Sequence, residues 1–119
     1  MFNFLRSRPT QAMPSAEEIA KAVASDQMYL IDVRDLGELR QTGKAKGALH
    51  IPLSLVAVKA DPKAPDAVIA PGKPVAVYCA AGGRSGMAAQ VLTRLGYEPV
   101  WNIGGFGDWV RAGGQVEKV

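Results

Sequence analysis

Val75-Ala76-Val77-Tyr78-Cys79-Ala80-Ala81-Gly82-Gly83-Arg84-Ser85 decides how this chain is read. The apolar run Val75 to Tyr78 has the composition of a buried strand. From Arg84 to Leu95, Met87, Val91, Leu92 and Leu95 recur at helical spacing and form an inward face, and Gly96 supplies the C′ stop. The single cysteine stands between the two elements. A thiol there faces the unpaired N–H groups of a helix start and the positive end of its dipole. Both favour the thiolate, which is the nucleophile. Gly82 and Gly83 permit positive φ and remove bulk, so the loop can curl its amides around an anion. Arg84 adds a permanent charge beside it. A lone cysteine is often an inert buried hydrophobe. Its position at the C-terminal edge of a strand, where open α/β sheets place their ligands, favours a functional reading.

Working outward, the same alternation repeats. Ser15-Ala16-Glu17-Glu18 reads as a capping box that opens a helix to about Ala24, with Ile19, Ala22 and Val23 on its apolar face. Tyr29-Leu30-Ile31-Asp32-Val33 reads as a buried strand. Asp35-Leu36-Gly37-Glu38 opens a short helix ending near Gly43. Lys44 to Gly47 is expected to turn, His50-Ile51 to form a brief strand, and Ser54 to cap a helix running to Ala57 or Lys59. Pro62, Pro65, Pro71 and Pro74 exclude a long helix between Asp61 and Pro74, although Ala67-Val68-Ile69 can pack on the core. Val100-Trp101-Asn102 is a further strand. Gly104-Gly105 turns the chain into a short helix, Phe106 to Arg111, and Gly113-Gly114 breaks it before a polar tail. Strands alternating with helices predict an α/β domain with a mainly parallel central sheet of about five strands flanked by helices.

The chain has 119 residues, enough for one domain with a real core. Residues 1–14 read as an irregular lead-in and 15–119 as the domain. Hydrophobic residues make up 48% and charged residues 21%, the balance of a soluble globular protein. A net charge of +3 suits a small anionic substrate. No dense Lys/Arg stripe with interleaved aromatics points to nucleic acid. One cysteine excludes an intramolecular disulfide and an internal resolving thiol, although an exposed lone cysteine can crosslink chains on oxidation. Cys, His and carboxylates do not cluster at metal-ligand spacing, so no metal and no cofactor are expected. No signal-peptide pattern and no run of membrane-spanning length is present, which suggests a cytoplasmic protein. Phe2, Phe4 and Leu5 with Arg6 and Arg8 suit either a peripheral contact or a frayed or docked terminus.

From about Ser15 to Val116 the chain resembles the rhodanese, or sulfurtransferase, family. Ile31-Asp32-Val33-Arg34-Asp35 with Glu38 looks like the family's first strand and its sequel. Gly47-Ala48-Leu49-His50-Ile51-Pro52 looks like its G-A-x-x-I-P turn. Cys79 to Ser85 looks like its active-site loop, and Gly104-Gly105 through Trp109 to Gly114 is similar to its closing stretch. The order and spacing carry more weight than any one segment. One departure is Gly43-Lys44-Ala45, where the family often has Gly-His-Ile.

The resemblance implies a single-domain thiosulfate sulfurtransferase. Cys79 would attack the outer sulfur of an anionic donor such as thiosulfate, sulfite would leave, and a thiol or cyanide would then take the sulfur from the Cys79 persulfide. Small donors and acceptors, and a protein sulfur acceptor, are the partners it suggests. A thiolate that is already ionised needs no general base. The amides of Ala80, Ala81, Gly82, Gly83, Arg84 and Ser85 would stabilise the anions. Four residues separate Cys79 from Arg84. Related folds that bind phosphate or arsenate use a loop one residue longer, which ranks sulfur transfer above phosphatase or arsenate reductase activity. A non-catalytic persulfide carrier or regulatory module needs the same loop and stays open.

The other polar residues have two readings each. Arg84 either holds the donor anion or pairs with a carboxylate such as Asp32. A cation in the first turn of a helix opposes the dipole, which favours the anion. Ser85 either donates to the sulfur or simply begins the helix. Asp32 and Arg34 either brace the loop or form a surface ion pair. His50 reads as a satisfied structural histidine. Trp101, Phe106 and Trp109 read as core and lid packing, and strand alternation turns Tyr78 away from Cys79.

Overall fold

The structure, a computed structural model, describes residues 12–119. The lead-in expected over residues 1–14 lies largely outside the described residues, as does the peripheral contact suggested for Phe2, Phe4 and Leu5. The chain runs α1 (Ala16–Ala24), β1 (Tyr29–Asp32), α2 (Leu36–Thr42), β2 (Lys44–Ala45), β3 (Leu49–His50), α3 (Leu53–Lys59), β4 (Val75–Cys79), α4 (Gly83–Arg94), β5 (Val100–Gly105), α5 (Phe106–Arg111) and β6 (Val116–Glu117).

The main sheet has four strands, in line with the expected parallel sheet of about five, in the order β3-β1-β4-β5. Every pairing in it is parallel. Strand period sorts the side chains onto two faces. Ile31, Val33, Val75, Val77 and Cys79 join Val56 of α3 and Ala88 and Leu92 of α4 in one core. Leu30, Ala76 and Tyr78 join Ile19 of α1 and Trp109 of α5 in the other. Both faces are covered, which is why β4 reads as an unbroken apolar run rather than an alternating one.

Capping sets where the helices begin. The Ser15 hydroxyl accepts from Glu18 N–H at 3.1 Å and Glu18 returns the bond to Ser15 N–H at 2.8 Å. Asp35 N–H donates to Glu38 Oε1 at 2.9 Å. Gly105 N–H donates to Asp108 Oδ2 at 2.8 Å. Three local expectations change. The cap of α3 is Pro52, and Ser54 lies inside the helix. Met87 is 59% exposed, so the inward face of α4 is carried by Ala88 and Leu92. Lys44 to Gly47 does not merely turn: β2 pairs antiparallel with β6 from the tail. Lys44 Nζ and Gly47 N–H both bind the Glu117 carboxylate across that pair. Ile69 is buried within the Asp61–Pro74 connection as expected, whereas Val68 faces solvent. No described helix is long and apolar enough to cross a membrane.

Candidate active site

The C-terminal ends of β1 and β4 lie side by side, with Asp32 opposite Tyr78, and Cys79 opposite Gly105 of β5. Cys79 ends β4 and Gly83 opens α4, so the turn between them is only three residues long. Gly82 makes this turn possible. Its φ is +106°, in the left-handed region that a side chain would disfavour. This conformation aims Gly82 N–H at Cys79 Sγ, 2.9 Å away. Ser85 Oγ lies 3.3 Å from the same sulfur. The thiol is nearly covered, at 1% exposure, and an exposed, crosslinking cysteine is not what the fold presents.

Burial is the largest single influence on Cys79 and pushes the thiol up. The Ser85 hydroxyl, with the N–H groups of Ser85, Ala81 and Gly82, together outweighs it and pulls the thiol down to about 7. Donors around the sulfur therefore win over desolvation, and a large share of Cys79 is thiolate at neutral pH.

Arg84 has found a carboxylate, but not Asp32. Its Nη1 and Nη2 donate to Glu38 Oε1 and Oε2 at 2.8 and 2.9 Å. The guanidinium holds Glu38 well below the usual carboxylate range, at about 2, and the pair raises Arg84 in turn. Glu38 thus closes the capping box of α2 and neutralises the cation in the first turn of α4. Asp32 and Arg34 pair with each other instead. Arg34 Nη2 meets Asp32 Oδ2 at 2.8 Å with both residues buried, so this is no surface pair. Arg34 also donates to Thr42 Oγ1 and to the Gly43 carbonyl. Among the described residues, the side-chain hydrogen bonds of this pair reach the end of α2 rather than residues 79–85. His50 Nε2 lies 2.6 Å from the Arg34 carbonyl, the satisfied arrangement expected of it. Tyr78 points to the opposite core, where its hydroxyl accepts from Ala45 N–H at 2.9 Å.

Asn102 completes the loop's support and was missed by sequence reasoning. Its Nδ2 donates to the Gly82 carbonyl at 3.0 Å, and its Oδ1 accepts from Gly104 N–H at 3.0 Å and from Ser85 Oγ at 2.7 Å. The available signal is an Asn two residues before a glycine, the pattern of an Asx turn. Beside it, β5 passes so close to the loop that a Cβ at Gly105 would lie 2.2 Å from the Ala80 carbonyl oxygen. A cavity of about 740 Å³ lies elsewhere, between α1 and the α5–β6 segment, and is lined by Ala20, Val23, Trp109 and Gly114 but by none of residues 79–85. No metal-ligating cluster occurs among the described residues.

A parallel α/β sheet with a hydrogen-bonded cysteine at its C-terminal edge defines a class of domains built around one nucleophilic loop. The comparisons with known proteins specify which. The rhodanese-like domain model matches residues 15–112. The thiosulfate sulfurtransferase PspE of Escherichia coli is 40% identical over 80 residues, 67% of this chain and 72% of that protein. A solved structure of a rhodanese with anions from Escherichia coli is 37% identical with a TM-score of 0.55, covering 68% of this chain and 89% of that one. A protein of unknown function from Rhodopseudomonas palustris, described as a possible tyrosine phosphatase, is 25% identical with a TM-score of 0.68, covering 93% and 100%. The chain belongs to the rhodanese-like domain family.

Proposed function

We propose that this protein is a sulfurtransferase that carries a sulfane sulfur on Cys79. The observation that carries this reading is the 2.9 Å bond from Gly82 N–H to Cys79 Sγ, in a loop whose donors hold the thiol at about 7. The Cys79 thiolate attacks the outer sulfur of thiosulfate and forms a new S–S bond. The S–S bond of thiosulfate breaks, and its electron pair leaves with sulfite. Cyanide or a thiolate then takes the outer sulfur, and the electron pair returns to Cys79. Charge balances in both steps without a general base, an oxidant or a metal. Backbone amides of Ala80 to Ser85 stabilise the persulfide anion, and Arg84 receives the donor's sulfonate in competition with Glu38. The identity to PspE supports thiosulfate as donor.

Incubation with thiosulfate adds one sulfur atom to the protein by intact mass, and Cys79→Ser takes up none. Uptake without turnover to cyanide or thiols identifies a carrier that hands its sulfur to a protein partner. No uptake identifies a binding module. The phosphatase reading has one observation behind it, the Rhodopseudomonas palustris neighbour. The loop of four residues between Cys79 and Arg84 argues against it, because it closes a smaller cup than one that seats a tetrahedral phosphate. Turnover with thiosulfate plus cyanide, beside turnover of an aryl phosphate, separates the two.

A further inference from the structure

Ser85 has one hydroxyl hydrogen and four acceptors within reach. Asn102 Oδ1 stands at 2.7 Å, the Gly82 carbonyl at 3.1 Å, Cys79 Sγ at 3.3 Å and the Gly104 carbonyl at 3.4 Å. The shortest of these distances belongs to Asn102. Its amide orientation is fixed independently, because Nδ2 donates to Gly82 and Oδ1 accepts from Gly104 N–H. With the hydrogen on Oδ1, Ser85 Oγ offers a lone pair to Cys79, and the chain Sγ–H to Oγ–H to Oδ1 stabilises the neutral thiol. Ionisation requires the hydroxyl to swing from Oδ1 to the sulfur.

We infer that Asn102 is a positioning residue that restrains ionisation of Cys79 by competing with the sulfur for the Ser85 hydroxyl hydrogen. This rests on Cys79 being the nucleophile of the proposed function. Asn102 is not the sole brace of the turn. The Gly82 carbonyl also accepts from Gly86 N–H at 3.0 Å in the first turn of α4, a second tie on the residue whose N–H meets the sulfur. The charged group beside Cys79 is Arg84 of α4, which is itself paired with Glu38 of α2 and has Asp35 nearby. β5 contributes no ionisable side chain between Val100 and Gly105, so Asn102 acts from there by hydrogen bonding alone.

The test is the pH profile of Cys79 alkylation by iodoacetamide, which requires no sulfur substrate. Asn102→Ala frees the Ser85 hydrogen for the sulfur and moves the midpoint down by about half a unit. In a Ser85→Ala background the same substitution moves nothing. Asn102→Asp keeps an acceptor for the hydroxyl and adds negative charge, so its midpoint stays at or above the wild-type value. Asn102→Leu keeps bulk on β5 and repeats the first test if Asn102→Ala loses its fold. A midpoint that stays or rises in Asn102→Ala shows that Asn102 only holds the loop together, and the inference falls. A shift that survives Ser85→Ala, or a midpoint below wild type in Asn102→Asp, overturns it equally. A downward shift in a protein that takes up no sulfur leaves this inference standing and removes the proposed function instead.

Discussion

Arg84 and Glu38 form a two-bond ion pair between α4 and α2, at 2.8 and 2.9 Å. The pair ties the helix that follows the cysteine to the helix that follows β1, and it occupies the only guanidinium in the 79–85 loop. A donor sulfonate therefore shares the guanidinium with the Glu38 carboxylate, whose negative charge opposes its approach. Glu38→Gln weakens that competition, and the KM for thiosulfate falls by about threefold, whereas Arg84→Ala raises it by about tenfold. Both side chains are about one-third exposed, so neither substitution costs more than about 1 kcal/mol of stability. Stability losses with an unchanged KM in both variants reduce the pair to a brace. Acid adds a second readout. Glu38 is held at about 2 in the folded protein, so its contribution is complete above its unfolded value of about 4.3 and is lost as pH falls through 2. Glu38→Gln lacks that step.

The donors around Cys79 predict a stability effect as well as a rate effect. The folded thiol sits at about 7, below the ~8.5 of an unfolded one, so the folded state releases its proton first. Between these values the unfolded state binds more protons, and stability rises with pH. The gain approaches roughly 2 kcal/mol above pH 9 and is lost as pH falls through 7. Denaturant titrations of wild type and Cys79→Ser across pH 6 to 9.5 check it. Parallel curves for the two proteins would mean that the thiol is not ionised early.

Tyr78 lies next to the nucleophile in sequence and on the other side of the sheet. Its hydroxyl accepts from the buried Ala45 N–H, and Tyr78→Phe leaves that donor unpaired. A loss of about 1–3 kcal/mol is expected in the denaturant midpoint. Sulfur uptake by Cys79 is expected to be unchanged, because the two side chains belong to different cores. A large loss of uptake in a folded Tyr78→Phe would show coupling across β4.

What was legible in the sequence is what local pattern encodes. Strand runs of one residue class, caps such as Ser15 with Glu18, and the C′ glycine at Gly96 all act over a few residues, and the structure has them where they were expected. The junction at Cys79 was legible for the same reason. Contacts that join distant residues were not. Nothing near Lys44 announces that it pairs with Glu117, because two-residue strands have no periodicity. Glu38 was visible as a cap, yet its bond to Arg84 depends on α2 and α4 beginning at neighbouring strand ends. Asn102 was read as a strand residue, and its hydrogen bonds to Gly82 and Ser85 arise from the pairing of β4 with β5. Met87 fitted the helical spacing, but α4 buries a narrower stripe than the spacing allowed.

Gly105 tests whether the close approach of β5 shapes the site. It sits opposite Cys79 in the sheet, just past an irregularity in the register. A methyl group there would meet the Ala80 carbonyl oxygen at 2.2 Å and the Ala81 Cα at 3.2 Å, both backbone atoms that cannot rotate away. Gly105→Ala must therefore move the loop or the strand. The expected displacement is at Ala80 and Ala81, whose backbone atoms the methyl meets, and it draws the following Gly82 N–H off the sulfur. Sulfur uptake from thiosulfate then falls by about tenfold or more, and the alkylation midpoint of Cys79 rises toward ~8.5. Strain of this kind costs about 1–3 kcal/mol of stability, which leaves the protein folded and the two readouts measurable. If the midpoint holds at its wild-type value while stability drops, β5 has moved instead, and the position of Gly82 does not depend on the approach of Gly105.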